Sequence, residues 1–333
     1  MARTDVFVCE LCPKNCRITE GHSGDCKSRI VLDGELRAIT YGRPCAIHVD
    51  PVEKKPLFHF LPGTRILSLA AAGCNLHCKF CQNWTISQVA PEDLRSVDLP
   101  PEKVVEAALA QQCLSVAYTY TDPVIFYEYT LETSKLAREK RLRNVTVTAG
   151  YINRAPMELL CRVTDASNTD LKAFSDTFYK ELCDASLKPV LDGMVIMKER
   201  GVWLEVTNLV VPTFNDDLEM IRKMCRWMLA NLGPDTPLHF SRFYPMYKMR
   251  NLPPTPVEFL MKARAEALEI GLRYVYVGNV LGTGAENTYC PSDGTLLIKR
   301  VGYSIPENNL VNGSCPKCGL KIAGVWGNEE QRP

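Results

Sequence analysis

The stretch Ala72-Gly-Cys74-Asn-Leu-His-Cys78-Lys-Phe-Cys81-Gln-Asn-Trp84 follows directly on a strand-like apolar run at 66–70. Cys-x3-Cys-x2-Cys within one short loop places three thiolates around a single inorganic centre. On a [4Fe–4S] cluster, three thiolates leave one iron without a protein ligand, and an open coordination position is a catalytic feature, as it is on zinc. The competing reading is a structural zinc ion with its fourth ligand elsewhere, since Cys-x2-Cys pairs are commonly zinc sites. His77 is available, but its neighbour Cys78 directs it elsewhere on the loop. The strand-to-loop context favours the cluster.

Outward from this loop the chain alternates strand and helix. Strand-like runs fall at 66–70, 115–120, 144–148, 167–171, 203–211, 238–243 and 274–277, with helix-like stretches between them at 101–112, 124–140, 156–162, 188–200, 217–232 and 256–270. Pro101-Glu102 and Pro256 with Glu258 behind it are helix starts. Repeated β-then-α units imply a parallel sheet with helical cover. Six or seven units are too few for an eight-fold barrel, so the expected fold is α/β, a partial (β/α)6 TIM-like barrel over 63–280. A doubly wound open sheet remains open on periodicity alone. A cysteine-rich N-terminal module and lead-in occupies 1–62, with a hairpin expected around Asp33-Gly34. A small zinc-ribbon-like module occupies 281–333.

Fifteen cysteines in 333 residues are many for a soluble intracellular chain, and in a reducing compartment thiolate–metal chemistry explains them better than disulfides. Cys9, Cys12, Cys16 and Cys26 supply four thiolates, enough for a closed zinc site or an auxiliary [4Fe–4S] cluster. Cys290-Pro-Ser-Asp293 faces Cys315-Pro-Lys-Cys318 as a zinc ribbon with Asp293 in place of a cysteine. Cys45, Cys113, Cys161, Cys183 and Cys225 are scattered and read as small buried hydrophobes. The formal net charge of +1 leaves no electrostatic footprint for nucleic acid. No apolar run is long enough to span a bilayer, and Met-Ala-Arg-Thr-Asp-Val lacks a signal-peptide core, so the expected compartment is the cytoplasm, with neither membrane nor nucleic acid as partner.

The cysteine triplet, with Phe80 between its last two cysteines, resembles the radical S-adenosylmethionine (SAM) superfamily. More narrowly the chain is similar to the pyruvate formate-lyase-activating-enzyme-like branch, and within it to the AmmeMemoRadiSam-system proteins. The resemblance is carried by the segments 50–63 (Asp-Pro-Val-Glu-Lys-Lys-Pro-Leu-Phe-His-Phe-Leu-Pro-Gly), 72–83, 118–123 (Tyr-Thr-Tyr-Thr-Asp-Pro), 169–174 (Thr-Asp-Leu-Lys-Ala-Phe), 239–243 (His-Phe-Ser-Arg-Phe) and 313–326, covering nearly the whole chain. It implies SAM chelating the open iron, reductive cleavage to a 5′-deoxyadenosyl radical, and hydrogen abstraction from a substrate, with the protein supplying orientation and water exclusion. It also implies an electron donor such as flavodoxin or ferredoxin, and a substrate that the sequence leaves unnamed, a protein among the options.

By position, Tyr120, Thr121 and Asp122 end the second strand where the superfamily contacts the SAM amino group. Relatives commonly carry Glu where this chain has Asp122, and a helix-starting Thr-Asp-Pro turn explains the residues as well. Asp170 and Lys172 resemble the Asp-x-Lys element on the carboxylate and ribose side of SAM. Asn208, a polar residue in an apolar strand, needs a partner that a nucleotide could supply. His239 is a further candidate, with a satisfied core histidine as the alternative. Relatives usually have a second cysteine at Asp293; zinc accepts an aspartate oxygen, and a metal-free ribbon is the other reading. Against all this stands a zinc-stapled, non-catalytic scaffold that binds RNA or a protein partner.

Overall fold

A computed structural model describes residues 5–327. Met1–Thr4 of the leader reading and the last six residues of the C-terminal module lie outside them. The centre is one eight-stranded sheet: β1 (Ala46–Pro51), β2 (Arg65–Ala70), β3 (Ser115–Tyr118), β4 (Arg143–Thr148), β5 (Ala166–Asp170), β6 (Trp203–Val210), β7 (Leu238–Arg242) and β8 (Val275–Gly278). Strands β2 to β8 are parallel, each paired with its sequence neighbour. A doubly wound sheet reverses its strand order at a switch point; this one never does. It is a barrel-like arrangement in which β1 and β8 are the two ends of the strand order.

Each parallel step is made by a crossover helix: α1 (Pro101–Ala110), α2 (Tyr127–Glu139), α3 (Arg154–Cys161), α4 (Leu187–Glu199), α5 (Leu218–Leu232) and α6 (Val257–Ile270). Local chemistry sets their ends. Pro101 occupies the first turn of α1, where its missing N–H costs nothing. The Asp217 carboxylate accepts the Glu219 N–H and caps α5. Gly271 ends α6 in a left-handed conformation, φ 115°. The helices bury one apolar stripe each against the outer sheet face, so β3 is buried at every position, as strands covered on both faces must be.

The parallel strands match the expected runs to within two residues. β1 is the exception. It was expected to lie in the lead-in, yet it pairs antiparallel with β2 along its whole length, Ala46 opposite Ala70 and Pro51 opposite Arg65. The central sheet therefore starts before residue 63. His48, Asp50 and Pro51 give β1 no apolar signature, and an antiparallel edge needs no crossover helix to announce it.

The connection from β1 to β2 plugs the N-terminal end of the barrel. There the Phe58 and His59 N–H groups donate to the two oxygens of Glu205 at 3.0 and 2.7 Å. The N-terminal module contains the expected hairpin, Arg29–Leu32 with Glu35–Ala38, turned by Asp33 and Gly34 with positive φ. The C-terminal module is a three-stranded antiparallel sheet. Among the described residues no helix is long and apolar enough to cross a membrane.

Candidate functional site

The loop 71–83 leaves β2 at its C-terminal end, where barrel active sites are built. Its backbone is held from outside: the N–H groups of His77 and Lys79 donate to the carbonyls of Cys183 and Leu182 at 2.9 and 2.8 Å. Those carbonyls belong to a π-helical turn, Tyr179–Cys183, a form enriched at functional sites. Asn75 donates to the Tyr151 carbonyl at 2.8 Å, and the Cys81 sulfur lies 3.2 Å from the Ser87 hydroxyl. Phe80 is buried against Phe178. Burial raises the Cys74 and Cys81 thiols above the ordinary value. Cys78 is raised first by its neighbour Cys183 and then by burial.

A cavity of ≈ 720 Å³ opens beside the three cysteines, within the ~300–1,000 Å³ usual for small-molecule sites. Cys74, Cys78, Cys81, Tyr120, Thr121, Asp122, Asp170, Lys172 and His239 all line it, so the structure brings most of the expected site together. The Lys172 ammonium lies 3.0 Å from Asp170. Burial alone would lower its affinity for the proton, but Asp170 and the Cys78 and Cys183 thiols hold it above the ordinary lysine range. Tyr120 has a left-handed backbone, φ 64°, a strained state for a bulky residue. That turn sends its ring to Lys55, whose ammonium sits 4.4 Å from the ring centre, and its hydroxyl to Asp50. The Tyr120 carbonyl accepts from Asn83 at 2.8 Å.

Asp122 is occupied within the fold. It accepts from Val124 N–H at 3.1 Å, from the Thr148 hydroxyl at 3.0 Å and from Ala149 N–H at 2.8 Å, which is the capping-turn alternative extended to β4. The Thr121 hydroxyl likewise donates to the Ala71 carbonyl at 2.8 Å.

Asn208 is not brought to the cavity. Its side chain donates to the Leu171 and Lys172 carbonyls at 2.8 and 3.2 Å. The strand neighbours Thr207 and Leu209 are the lining residues, because successive side chains alternate faces. The register aligns Asp170, Thr207, His239 and Tyr276 across β5 to β8, so His239 faces inward. Its Nε2 is 2.7 Å from Glu205.

Sequence reasoning missed Lys55, Asn168, Glu205 and Thr207. Lys55 sits fully inside the plug, paired with Asp50 at 2.7 Å, and burial lowers it to about 8. Two consecutive lysines in the quoted run 50–56 were the available signal. Nothing in the sequence pointed to Glu205, fully buried with Trp203 also donating to it at 3.0 Å.

Among the described residues, Cys290, Asp293, Cys315 and Cys318 bring four donor atoms within 4.8 Å of one another, and Asp25, His77 and Asp184 bring three. The second group already holds a cation, the Lys14 ammonium, 2.6 Å from each aspartate. The first has the size of a zinc tetrahedron, whose thiolates stand ~3.8 Å apart on ~2.3 Å bonds. The 74–81 sulfurs form no such tight group. Cys74, Cys78 and Cys81 present sulfur donors alone, the donor type on which iron–sulfur clusters are held.

A singly wound barrel places three clustered cysteines at the exit of its first parallel strand, facing a cavity at the C-terminal ends of the strands. The chain belongs to the radical SAM superfamily. Residues 69–228 match the Radical SAM superfamily family, which carries SAM and a [4Fe–4S] cluster as its cofactors. "Uncharacterized protein MJ0808" of Methanocaldococcus jannaschii is 46% identical over 316 residues, 94% of each chain. The pyruvate formate-lyase-activating enzyme of Clostridium pasteurianum is 24% identical over 169 residues, 49% of this chain and 68% of that one. In fold, the chain resembles a radical SAM methyltransferase from Sphaerobacter thermophilus, with TM-score 0.52 and 16% identity over 66% of this chain and 67% of that one. Superfamily membership makes the chain a catalyst and sets aside the purely structural scaffold.

Proposed function

We propose that Cys74, Cys78 and Cys81 hold the [4Fe–4S] cluster, that SAM lies in the adjoining cavity, and that hydrogen is abstracted there from a substrate. The observation that carries this reading is the convergence of the cysteine loop, Asp170 and Lys172 on one cavity. When bound, the cofactor pair supplies one-electron cleavage of a C–S bond and a carbon radical that takes hydrogen from the substrate.

The chain's own groups do the rest. Lys172 offers a fixed positive charge for the SAM carboxylate, and Asp170 offers acceptors for ribose hydroxyls. The Tyr120 carbonyl retains a lone pair for the amino group. Phe80, Leu76 and Val147 exclude water, and Asn168, Thr207 and His239 present polar groups to the substrate side of the cavity. Exposed Leu281 and Tyr303 at the rim suit a peptide segment, and the Clostridium pasteurianum relative is named for activating an enzyme. Both support a protein substrate, with a flavodoxin- or ferredoxin-like donor in a cytoplasmic setting that suits unpaired thiols. Cys290, Asp293, Cys315 and Cys318 hold zinc in this reading.

Anaerobic reconstitution tests it. The protein should turn brown and convert SAM to 5′-deoxyadenosine under reductant. Cys78→Ala should lose that turnover and the SAM-responsive cluster signal together. A Cys78→Ala protein that still makes 5′-deoxyadenosine would refute the ligand assignment.

A further inference from the structure

We infer that Cys9, Cys12, Cys16 and Cys26 hold a second [4Fe–4S] cluster, seated against the 71–83 loop, through which the electron for turnover enters. This rests on the reading of that loop as a cluster site.

The first observation is the spread of the sulfurs. In the C-terminal tetrad the Cys290 and Cys318 sulfurs are 3.6 Å apart and Cys315 lies 3.9 Å from Asp293, dimensions that suit one small ion. Cys9, Cys12, Cys16 and Cys26 contain no three sulfurs within 4.8 Å of one another. In this they share the wider pattern of Cys74, Cys78 and Cys81, which the larger core of a cluster suits better than a single ion. The Cys9 N–H donates to the Cys16 carbonyl at 2.9 Å, and the Asp25 N–H, beside Cys26, lies 3.5 Å from the Cys16 sulfur.

The second observation is contact. Gly73, one residue before Cys74, has φ 94°, and a Cβ there would come within 2.3 Å of the Cys26 carbonyl oxygen. The backbone bearing one cluster's ligand therefore lies directly on the backbone bearing the other's. A second route runs from Asp25, beside Cys26, to His77, beside Cys78, through a 2.9 Å hydrogen bond. Lys14 ties Asp25 to Asp184 next to Cys183, Ser28 donates to the Ala72 carbonyl at 2.7 Å, and Cys12 shares an apolar cluster with Leu76 and Cys78.

The third is access. Glu10, Asn15, Gly21, His22 and Ser23 around the tetrad are exposed, which leaves a face for a small reduced iron–sulfur or flavin protein. One electron leaves that carrier, which is oxidised by one equivalent. The N-terminal site is reduced by one electron and reoxidised when the electron passes through Cys26–Gly73 or Asp25–His77 to the 74–81 site. No bond forms or breaks.

The test uses the full chain, reconstituted anaerobically, with iron, sulfide and zinc counted and the reduced state examined by electron paramagnetic resonance. The expected content is about eight iron atoms per chain, as two cubanes require. The triple variant Cys74→Ala/Cys78→Ala/Cys81→Ala should keep about four, with a reduced-cluster signal that SAM does not alter. Cys12→Ser/Cys16→Ser should keep a SAM-responsive signal that dithionite still produces but reduced flavodoxin or ferredoxin no longer does. A wild-type chain with about four iron atoms and zinc at the N-terminal tetrad would overturn the inference while leaving the catalytic reading intact. A triple variant whose signal still responds to SAM would instead overturn the catalytic reading. Unchanged reduction of Cys12→Ser/Cys16→Ser by the protein carrier would overturn the relay.

Discussion

Inside the cavity the Lys172 ammonium lies 3.0 Å from Asp170 and 5.8 Å from the Phe80 ring centre. A charge in so dry a place is kept only by partners, and Asp170 is one. An anionic ligand group would be the second. Lys172→Ala should therefore weaken SAM binding by about 10–100-fold, the equivalent of one hydrogen bond to a charged group at ~1.5–3 kcal/mol, while iron content is retained. Equilibrium dialysis with SAM against the iron-loaded variant measures it; unchanged affinity would discard the role. The same scale shows where sequence reading reaches its limit. The Asp-x-Lys pair was legible through its resemblance to a family element, and both residues line the cavity. Asn208 was not, because the faces of a buried parallel strand carry no polar–apolar alternation to reveal the register. Polarity pointed to Asn208, and Thr207 next to it lines the cavity.

The elements around the cluster loop depend on close approach. Gly73 is needed both for its positive φ and for space, since a Cβ would meet the Cys26 carbonyl at 2.3 Å and the Ser28 hydroxyl at 2.8 Å. Gly73→Ala should push the N-terminal module off the loop. It should cost roughly 1–3 kcal/mol as an overpacked site, lower the melting temperature by several degrees and reduce iron content. Unchanged melting temperature and iron would show that the two segments separate freely. The helices and parallel strands were legible because their periods and caps are local. β1 and the plug were not: their places are set by the edge of β2 and by Glu205, 147 residues from Phe58 in sequence. The π-helical turn that grips the loop was equally hidden, since no local pattern distinguishes it from a helix end.

At the scale of the whole molecule, the C-terminal module is fastened to the barrel plug by a buried chain of hydrogen bonds. Arg300 donates to the Thr288 hydroxyl at 2.8 Å, Thr288 and Tyr276 are 2.9 Å apart, and the Tyr276 hydroxyl meets His59 Nε2 at 2.5 Å. His59 Nδ1 is 2.7 Å from the Ala323 carbonyl. That carbonyl can only accept, so the single imidazole proton sits on Nδ1 and Nε2 accepts from Tyr276. The arrangement requires neutral His59. Burial, together with the Arg300 and His239 charges, lowers it to about 4 against the opposing pull of Glu205, with Tyr274, Tyr276, Trp203 and Trp326 completing its surroundings. An unfolded histidine takes up its proton near pH 6.5. Between pH 6.5 and about 4 the unfolded chain thus binds more protons at this residue than the folded one, and stability falls as pH falls, by roughly 3 kcal/mol across the window. Above pH 6.5 the residue adds no slope. His59→Gln removes this titration and leaves Glu205 and every other carboxylate in place. Its melting temperature should be below wild type at pH 7.5 and should decline less steeply from pH 6.5 to 4.5. Thermal melts at matched iron and zinc content compare the two directly, and parallel curves across that range would mean that His59 does not fasten the module in its neutral form.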